Sequence, residues 1–218
     1  MTRRTYGQLC GLARALDLVG ERWTALIVRD LAVRPRRFTD LQEGLPGIGT
    51  GLLSERMQHL EAAGVVERRP APRPERGVHY TLTERGRDLA DALMPLARWG
   101  LGLLSDGEPD GEEAYRAEWL VVTLRSLFDP ARAAGVHDCY VFDVMGERVW
   151  ATVDDGELST GEGDPPRPPD MVLATDPATL AAIGCGAVDP AAAVAEGRAT
   201  VTGDPAASAR SLEVFAAR

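Results

Sequence analysis

Four short helix-patterned segments in the first 63 residues, followed at once by a strand-turn-strand pattern, limit this chain more than any other feature. Leu9, Leu12, Ala13, Leu16 and Val19 recur at helical spacing over residues 9–19, and Gly20 closes the segment. Trp23, Leu26, Ile27 and Leu31 mark a second helix over residues 23–31. A short third helix over residues 40–44 follows Thr39 and Gln42, whose spacing reads as a capping box. Pro46-Gly47-Ile48-Gly49 is a turn, and Leu53, Met57 and Leu60 give the inward face of a fourth helix over residues 50–63, ended by Gly64. Residues 65–69 and 78–82 are strand-like and are joined by a tip rich in Pro and Arg, so they form a hairpin. Thr83 caps a long helix over residues 84–104.

Two helices joined by a tight Gly-containing turn and followed by a hairpin make a device that fits the major groove of duplex DNA, which is wide enough for one α-helix. The outward face of the fourth helix carries Thr50, Gly51, Ser54, Glu55 and Gln58, small and polar enough to approach base edges. Thr39 stands at the entry of the helix pair. Arg36 and Arg37 before the third helix, and Arg73 and Arg76 at the hairpin tip, are placed to neutralise phosphates, contacts that set register without reading sequence.

A net charge of −9 argues against a polyanionic partner until the halves are separated. Residues 1–100 hold sixteen arginines against twelve acids, whereas residues 101–218 hold eight against twenty-one, and lysine is absent throughout. That asymmetry predicts a DNA contact in front and another duty behind. The division falls at Ser105-Asp-Gly-Glu-Pro-Asp-Gly111, giving a first domain over residues 1–105, a linker over 106–111 and a second domain over 112–218, each domain long enough to bury its own core. No N-terminal apolar region and no stretch of about 18 apolar residues is present, so the expectation is a cytoplasmic protein without a membrane partner. Three widely spaced cysteines, Cys10, Cys139 and Cys185, do not form a disulfide framework.

The run from Cys10 to Leu31, continued by Arg37-Phe-Thr-Asp-Leu41, Gly47-Ile-Gly49, residues 53–61, Gly64-Val-Val-Glu-Arg68, Tyr80-Thr-Leu-Thr-Glu-Arg-Gly86 and Trp99-Gly100, resembles the HxlR family of bacterial winged-helix regulators. The resemblance covers about the first 105 residues. It implies a homodimer built through the first and last helices, with two recognition helices in successive major grooves. Arg56 matches an Arg of that family's motif and would hold a phosphate or a guanine, or else form a salt bridge on the helix surface with Glu55 or Glu61. Gly49, Thr50 and Gly51 depart from the family's larger polar residues, which implies fewer base contacts. Cys10 matches a cysteine that several members use to sense electrophiles or oxidants; its other reading is a small buried hydrophobe.

Beyond the linker the pattern is α+β, so the whole chain is read as α+β: a mainly helical winged helix-turn-helix plus a second α+β domain. A helix over residues 112–128 leads into strands within 136–153 on either side of Met145-Gly146, with further strands over 157–161, 171–174 and 199–202, and helices over 177–183, 190–196 and 205–216. The order of Val149-Trp-Ala-Thr-Val-Asp-Asp-Gly156, Asp170-Met-Val-Leu-Ala-Thr-Asp176, residues 179–183 and 192–204, and Leu212-Glu-Val-Phe215 resembles the sterol carrier protein type-two fold. This implies a five-stranded sheet with helices around an apolar tunnel, and an apolar small-molecule effector. Trp119, Tyr140, Phe142, Trp150, Leu173, Leu180 and Phe215 are the candidates to line it; the alternative is a filled core serving dimerisation.

No catalytic constellation, cofactor motif or metal site is read. Gly47-Ile-Gly49-Thr-Gly51 lacks the third glycine of a nucleotide loop, and His137 with Cys139 makes only half a metal site. The expectation is a regulator, acting as a repressor on double-stranded DNA, and not an enzyme. Its rivals are a lipid- or metabolite-binding protein whose winged helix serves assembly, and a thiol-sensing repressor working through Cys10.

Overall fold

Leu53, Met57 and Leu60 stand at i, i+4 and i+7, and each is at most 1% exposed, so one stripe of the fourth helix is fixed against a core and the opposite stripe is left to solvent. The computed structural model describes residues 5–71, 76–105 and 115–215. It divides the chain into two units, Met1–Leu93 and Met94–Arg218, with the boundary inside a helix.

In the first unit α1 (Gly11–Val19), α2 (Thr24–Val33), α3 (Phe38–Gly44) and α4 (Thr50–Ala62) are followed by a hairpin of β1 (Val66–Pro70) and β2 (Val78–Leu82), and then by α5 (Glu84–Leu101). Ile27, Val28 and Leu31 of α2 pack with Leu41, Leu45, Ile48 and the buried stripe of α4, and the hairpin closes this core with Val66, Tyr80 and Leu82. The strands run antiparallel from Val66 opposite Leu82 to Pro70 opposite Val78. Arg36 adds a short third rung, its N–H donating to the Tyr80 carbonyl (3.0 Å) and its carbonyl accepting from the Tyr80 N–H (2.7 Å).

Two starts differ from the sequence expectation. The third helix begins at Phe38, because the Asp40 carboxylate accepts from the Arg37 N–H (2.9 Å) and so closes the first turn, leaving Thr39 inside the helix and not at its cap. Trp23 precedes α2 in a left-handed conformation (φ 78°). Thr83 does cap α5: its hydroxyl accepts from the Gly86 N–H (3.1 Å) and donates to the Gly64 carbonyl (2.6 Å). Gly86 is required here, since a Cβ would lie 2.2 Å from the Val65 carbonyl oxygen.

The second unit takes the end of α5, a 3-10 turn at Gly102–Ser105 in place of the last turn expected there, and α6 (Ala117–Leu127). The expected linker, residues 106–111, and the first residues of the expected helix lie outside the described residues. Five strands follow, β3 (Cys139–Val144), β4 (Glu147–Asp154), β5 (Glu157–Glu162), β6 (Met171–Thr175) and β7 (Ala199–Gly203), in the sheet order β5-β4-β3-β6-β7. Only β3 and β6 are parallel. A parallel pair needs a crossover, and the stretch from β4 to β6 supplies it. Three helices, α7 (Pro177–Gly184), α8 (Pro190–Ala195) and α9 (Pro205–Val214), each open on an Asp-Pro step. Asp176, Asp189 and Asp204 accept from the backbone N–H of Thr179 (2.9 Å), Ala192 (3.0 Å) and Ala206 (2.9 Å), while the proline occupies the first helical position, where an N–H would have no partner.

Among the described residues no helix is long and apolar enough to cross a membrane.

Candidate functional site

The turn between α3 and α4 is held from within: Leu45 and Ile48 are buried, and Gly47 at φ +92° packs beside the Trp23 ring. This presents the outer stripe of α4 rigidly. Thr50, Gly51, Glu55 and Gln58 are exposed there and Ser54 is half-buried. Gln58 Nε2 lies 3.5 Å from Ser54 Oγ, so the two side chains share one surface a turn apart. Gln42, read from sequence only as a cap, donates from Nε2 to Thr50 Oγ1 (2.7 Å) and braces the start of α4 from α3. It belongs to the same polar surface; the signal that points to it is its place one turn beyond Thr39 on the face turned to the next helix.

The arginines divide. Arg37 is half-buried, its Nε 3.3 Å from His79 Nε2 on β2, which places it between the first turn of α3 and the hairpin. Arg76 is exposed at the hairpin tip, Thr39 is exposed on α3, and Arg73 lies outside the described residues. Arg36 overturns its expectation: it is 2% exposed and sits among the largest buried side chains, because the rung it forms with Tyr80 turns it inward. Such a side chain is structural and does not reach phosphate. Arg56 is also corrected. Its guanidinium bridges Glu55 (3.2 Å) and Glu21 (3.1 Å), so it fastens α4 to the segment before α2, the salt-bridge reading, with Glu21 as a partner that sequence spacing did not suggest. On the hairpin, Arg68 pairs with Glu61 (2.8 Å) and lies over the Tyr80 ring, and Arg69 pairs with Glu67.

Cys10 is exposed at the N-cap of α1, where its side chain makes no capping bond, and it is therefore not a buried hydrophobe. Leu9, Leu12 and Leu16 are exposed as well, and Ala13 is the one buried residue of that helix. In the second unit His137 pairs with the Asp154 carboxylate, while Cys139 is buried, which pushes its thiol pKa up.

The second unit encloses a cavity of about 330 Å³ between the sheet and α6, α7, α8 and α9. Phe142, Leu173, Leu180 and Phe215 line it, and Thr123, Ser208 and Ser211 are its polar wall residues. Trp119, Tyr140 and Trp150 do not. Trp150 pairs with Val141 and Gly161, one residue out of phase with Phe142 and Leu173, so the pleat turns it to the other face of the sheet, where a Cβ on Gly161 would lie 2.4 Å from its ring. Tyr140 shares the face of Phe142 but is fully buried behind Phe215, the ring centroids 5.9 Å apart and edge-on. Its hydroxyl donates to Asp138 (2.7 Å), which also takes two bonds from Arg210 (2.6 and 2.8 Å). The Arg210 fork holds the Asp138 carboxyl below the usual carboxylate range, and burial together with the neighbouring carboxylate pushes the Tyr140 phenol up. Trp119 precedes the lining, which on α6 begins at Leu120.

A polar-faced helix on a braced turn, with an arginine-bearing hairpin beside it, defines a winged helix-turn-helix transcription regulator. The chain belongs to the HxlR-like helix-turn-helix family, whose model matches residues 18–107, and residues 123–214 match the model of the SCP-2 sterol transfer family. It is 37% identical over 86 residues to the uncharacterized HTH-type transcriptional regulator YvaP of Bacillus subtilis, covering 39% of this chain and 80% of that protein. It is 45% identical over 101 residues to an uncharacterized HTH-type transcriptional regulator of Mycobacterium tuberculosis, 46% of this chain and 61% of that protein. Among solved structures, the reduced form of the B. subtilis transcriptional regulator YodB is 33% identical and covers 46% of this chain and all of that one, with a TM-score of 0.40. The chain is thus an HTH-type transcriptional regulator that binds DNA.

Proposed function

We propose that this chain is a cytoplasmic repressor that binds its operator as a homodimer and is controlled by an apolar small molecule in the second unit, acting by binding and not by catalysis. The observation that carries the reading is the 330 Å³ cavity, walled by apolar side chains, in the same chain as a DNA-reading head. Its described lining is apolar side chains with three hydroxyls, a set suited to holding a ligand. The exposed Leu12 and Leu16, one turn apart on α1, with the exposed Leu9 just before the helix, support the dimer, because they are spaced for packing and point away from the core. In the dimer, Thr50, Ser54 and Gln58 of each α4 face base edges, and Thr39, Arg37 and Arg76 approach the backbone.

An effector controls DNA affinity only if it binds the DNA-bound and free states unequally. Gel-shift titrations on the intergenic duplex beside the gene, at two salt concentrations and with or without hydrophobic metabolite extract, test this directly. The expected result is binding that weakens steeply with salt and weakens again with extract. Unchanged operator affinity and unchanged melting temperature in the presence of extract would remove the effector from the proposal.

Cys10 supports a second mode of control, an exposed thiol at the start of the same helix that carries the apolar row. Alkylation with N-ethylmaleimide should lower operator affinity in the natural chain and leave Cys10→Ser unaffected; equal loss in both places the sensitive thiol elsewhere.

A further inference from the structure

The cavity of about 330 Å³ corresponds to about ten non-hydrogen atoms at the ~30 Å³ that a molecule of liquid water occupies. No charged side chain is among the described residues that line it. The arginines on its two flanking helices are engaged elsewhere: Arg125 of α6 donates to Thr160 Oγ1 (3.1 Å), and Arg210 of α9 forks onto Asp138. A ligand anion therefore finds no cation among the described lining residues.

Its polar groups are three hydroxyls. Ser211 is 6% exposed and donates its hydrogen to the Ser208 carbonyl (2.7 Å), and Thr123 donates to the Trp119 carbonyl (3.3 Å). A hydroxyl whose hydrogen is taken by the main chain offers its neighbours lone pairs only. At the mouth the arrangement reverses: Val194 and Leu212, both exposed lining residues, are apolar. The polar end of a ligand is thus drawn inward to Ser211 and Thr123, where a neutral hydroxyl can donate to their lone pairs and an anion meets no cation among the described lining residues.

Resting on the reading of this cavity as the effector site, we propose that its occupant is an uncharged, largely apolar alcohol of about ten non-hydrogen atoms, hydroxyl inward, and that carboxylates of the same length are rejected. A carboxylate in that position would lose its hydration with no cation among the described lining residues to offset it, an expected loss of more than about a hundredfold in affinity.

Calorimetric titration of the full chain with 1-nonanol and with nonanoate at neutral pH compares two ligands of nearly equal size and opposite head-group charge. The expectation is that nonanol binds, that nonanoate binds at least about 100-fold more weakly, that Ser211→Ala weakens nonanol by about three- to tenfold, and that Leu212→Arg, which brings a cation to the mouth, recovers nonanoate binding. Nonanoate within about threefold of nonanol would put the head group outside and overturn the assignment. Failure of nonanol, with metabolite extract still raising the melting temperature of the natural chain but not of Leu173→Trp, would overturn the alcohol and leave the cavity reading intact. Failure of every ligand with both proteins would end both.

Discussion

Gln58 and Ser54 stand a turn apart on the exposed stripe of α4, and Arg76 stands on the hairpin tip, so in the proposed complex base reading and backbone holding fall to different side chains. Gln58→Ala should change base preference at one operator position by about 1–3 kcal/mol. Arg76→Ala should weaken binding to all duplexes alike and reduce the slope of log affinity against log salt by about one. Competition gel shifts with mutated duplexes measure the first and a salt series the second. An Arg76→Ala loss confined to one sequence would reassign it to base contact. The stripe itself was legible in the sequence, because Leu53, Met57 and Leu60 fix the inward face of α4 and the outward face follows by subtraction. The arginines were not equally legible. Arg36 and Arg37 are neighbours, yet one is buried by a backbone rung to Tyr80, 44 positions on, and the other reaches His79; no local spacing reports a partner that distant. Arg56 is held by Glu21 for the same reason.

Helices α7, α8 and α9 could be placed to within a residue or two from their Asp-Pro starts, since capping chemistry is local. The cavity lining was half legible: alternation along β3 and β6 puts Phe142 and Leu173 on one face, but the register that turns Trp150 away depends on pairing with Val141. Helix α1 shows the opposite case, a legible apolar spacing whose side chains face outward. Leu12→Asp should convert a dimer to a monomer with little loss of fold stability, as read by sedimentation; an unchanged dimer would place the interface elsewhere. The tie between α9 and the segment before β3 makes the second unit sensitive to acid. Folded Asp138 titrates below the unfolded carboxylate value, so the Arg210 fork stabilises fully above that ordinary value and its contribution disappears as pH falls through the lower one. Asp138→Asn should cost about 1–3 kcal/mol at neutral pH, less than a fully buried pair because the Arg210 side chain is 37% exposed, and should flatten the acid side of a urea-midpoint-against-pH profile. An unchanged profile would show that another carboxylate governs acid unfolding.

At the scale of the whole chain the charge is divided as the duties are, arginine excess in the first hundred residues and acid excess behind. The acidic half adds no attraction for phosphate, so the steep loss of DNA affinity with salt is expected to arise mainly from phosphate contacts of the head. Leu173→Trp, which fills the cavity from the sheet side, should therefore leave operator affinity in buffer unchanged and abolish the response to metabolite extract. A parallel loss of DNA affinity would mean that the variant disturbs more than the cavity.

The three Asp-Pro steps bear on descent as well as on folding. Each wall helix carries its own start signal and meets the sheet separately, so one wall can lengthen, shift or change its side chains while the strand register and the other two stay as they are. If the cavity is the effector site proposed above, its independent panels let it acquire a taste for a new molecule by few mutations, without any change to the residues proposed to choose the gene. Lineages sharing one operator could in this way answer to different chemical signals, and the same property makes the second unit a practical starting point for a designed sensor.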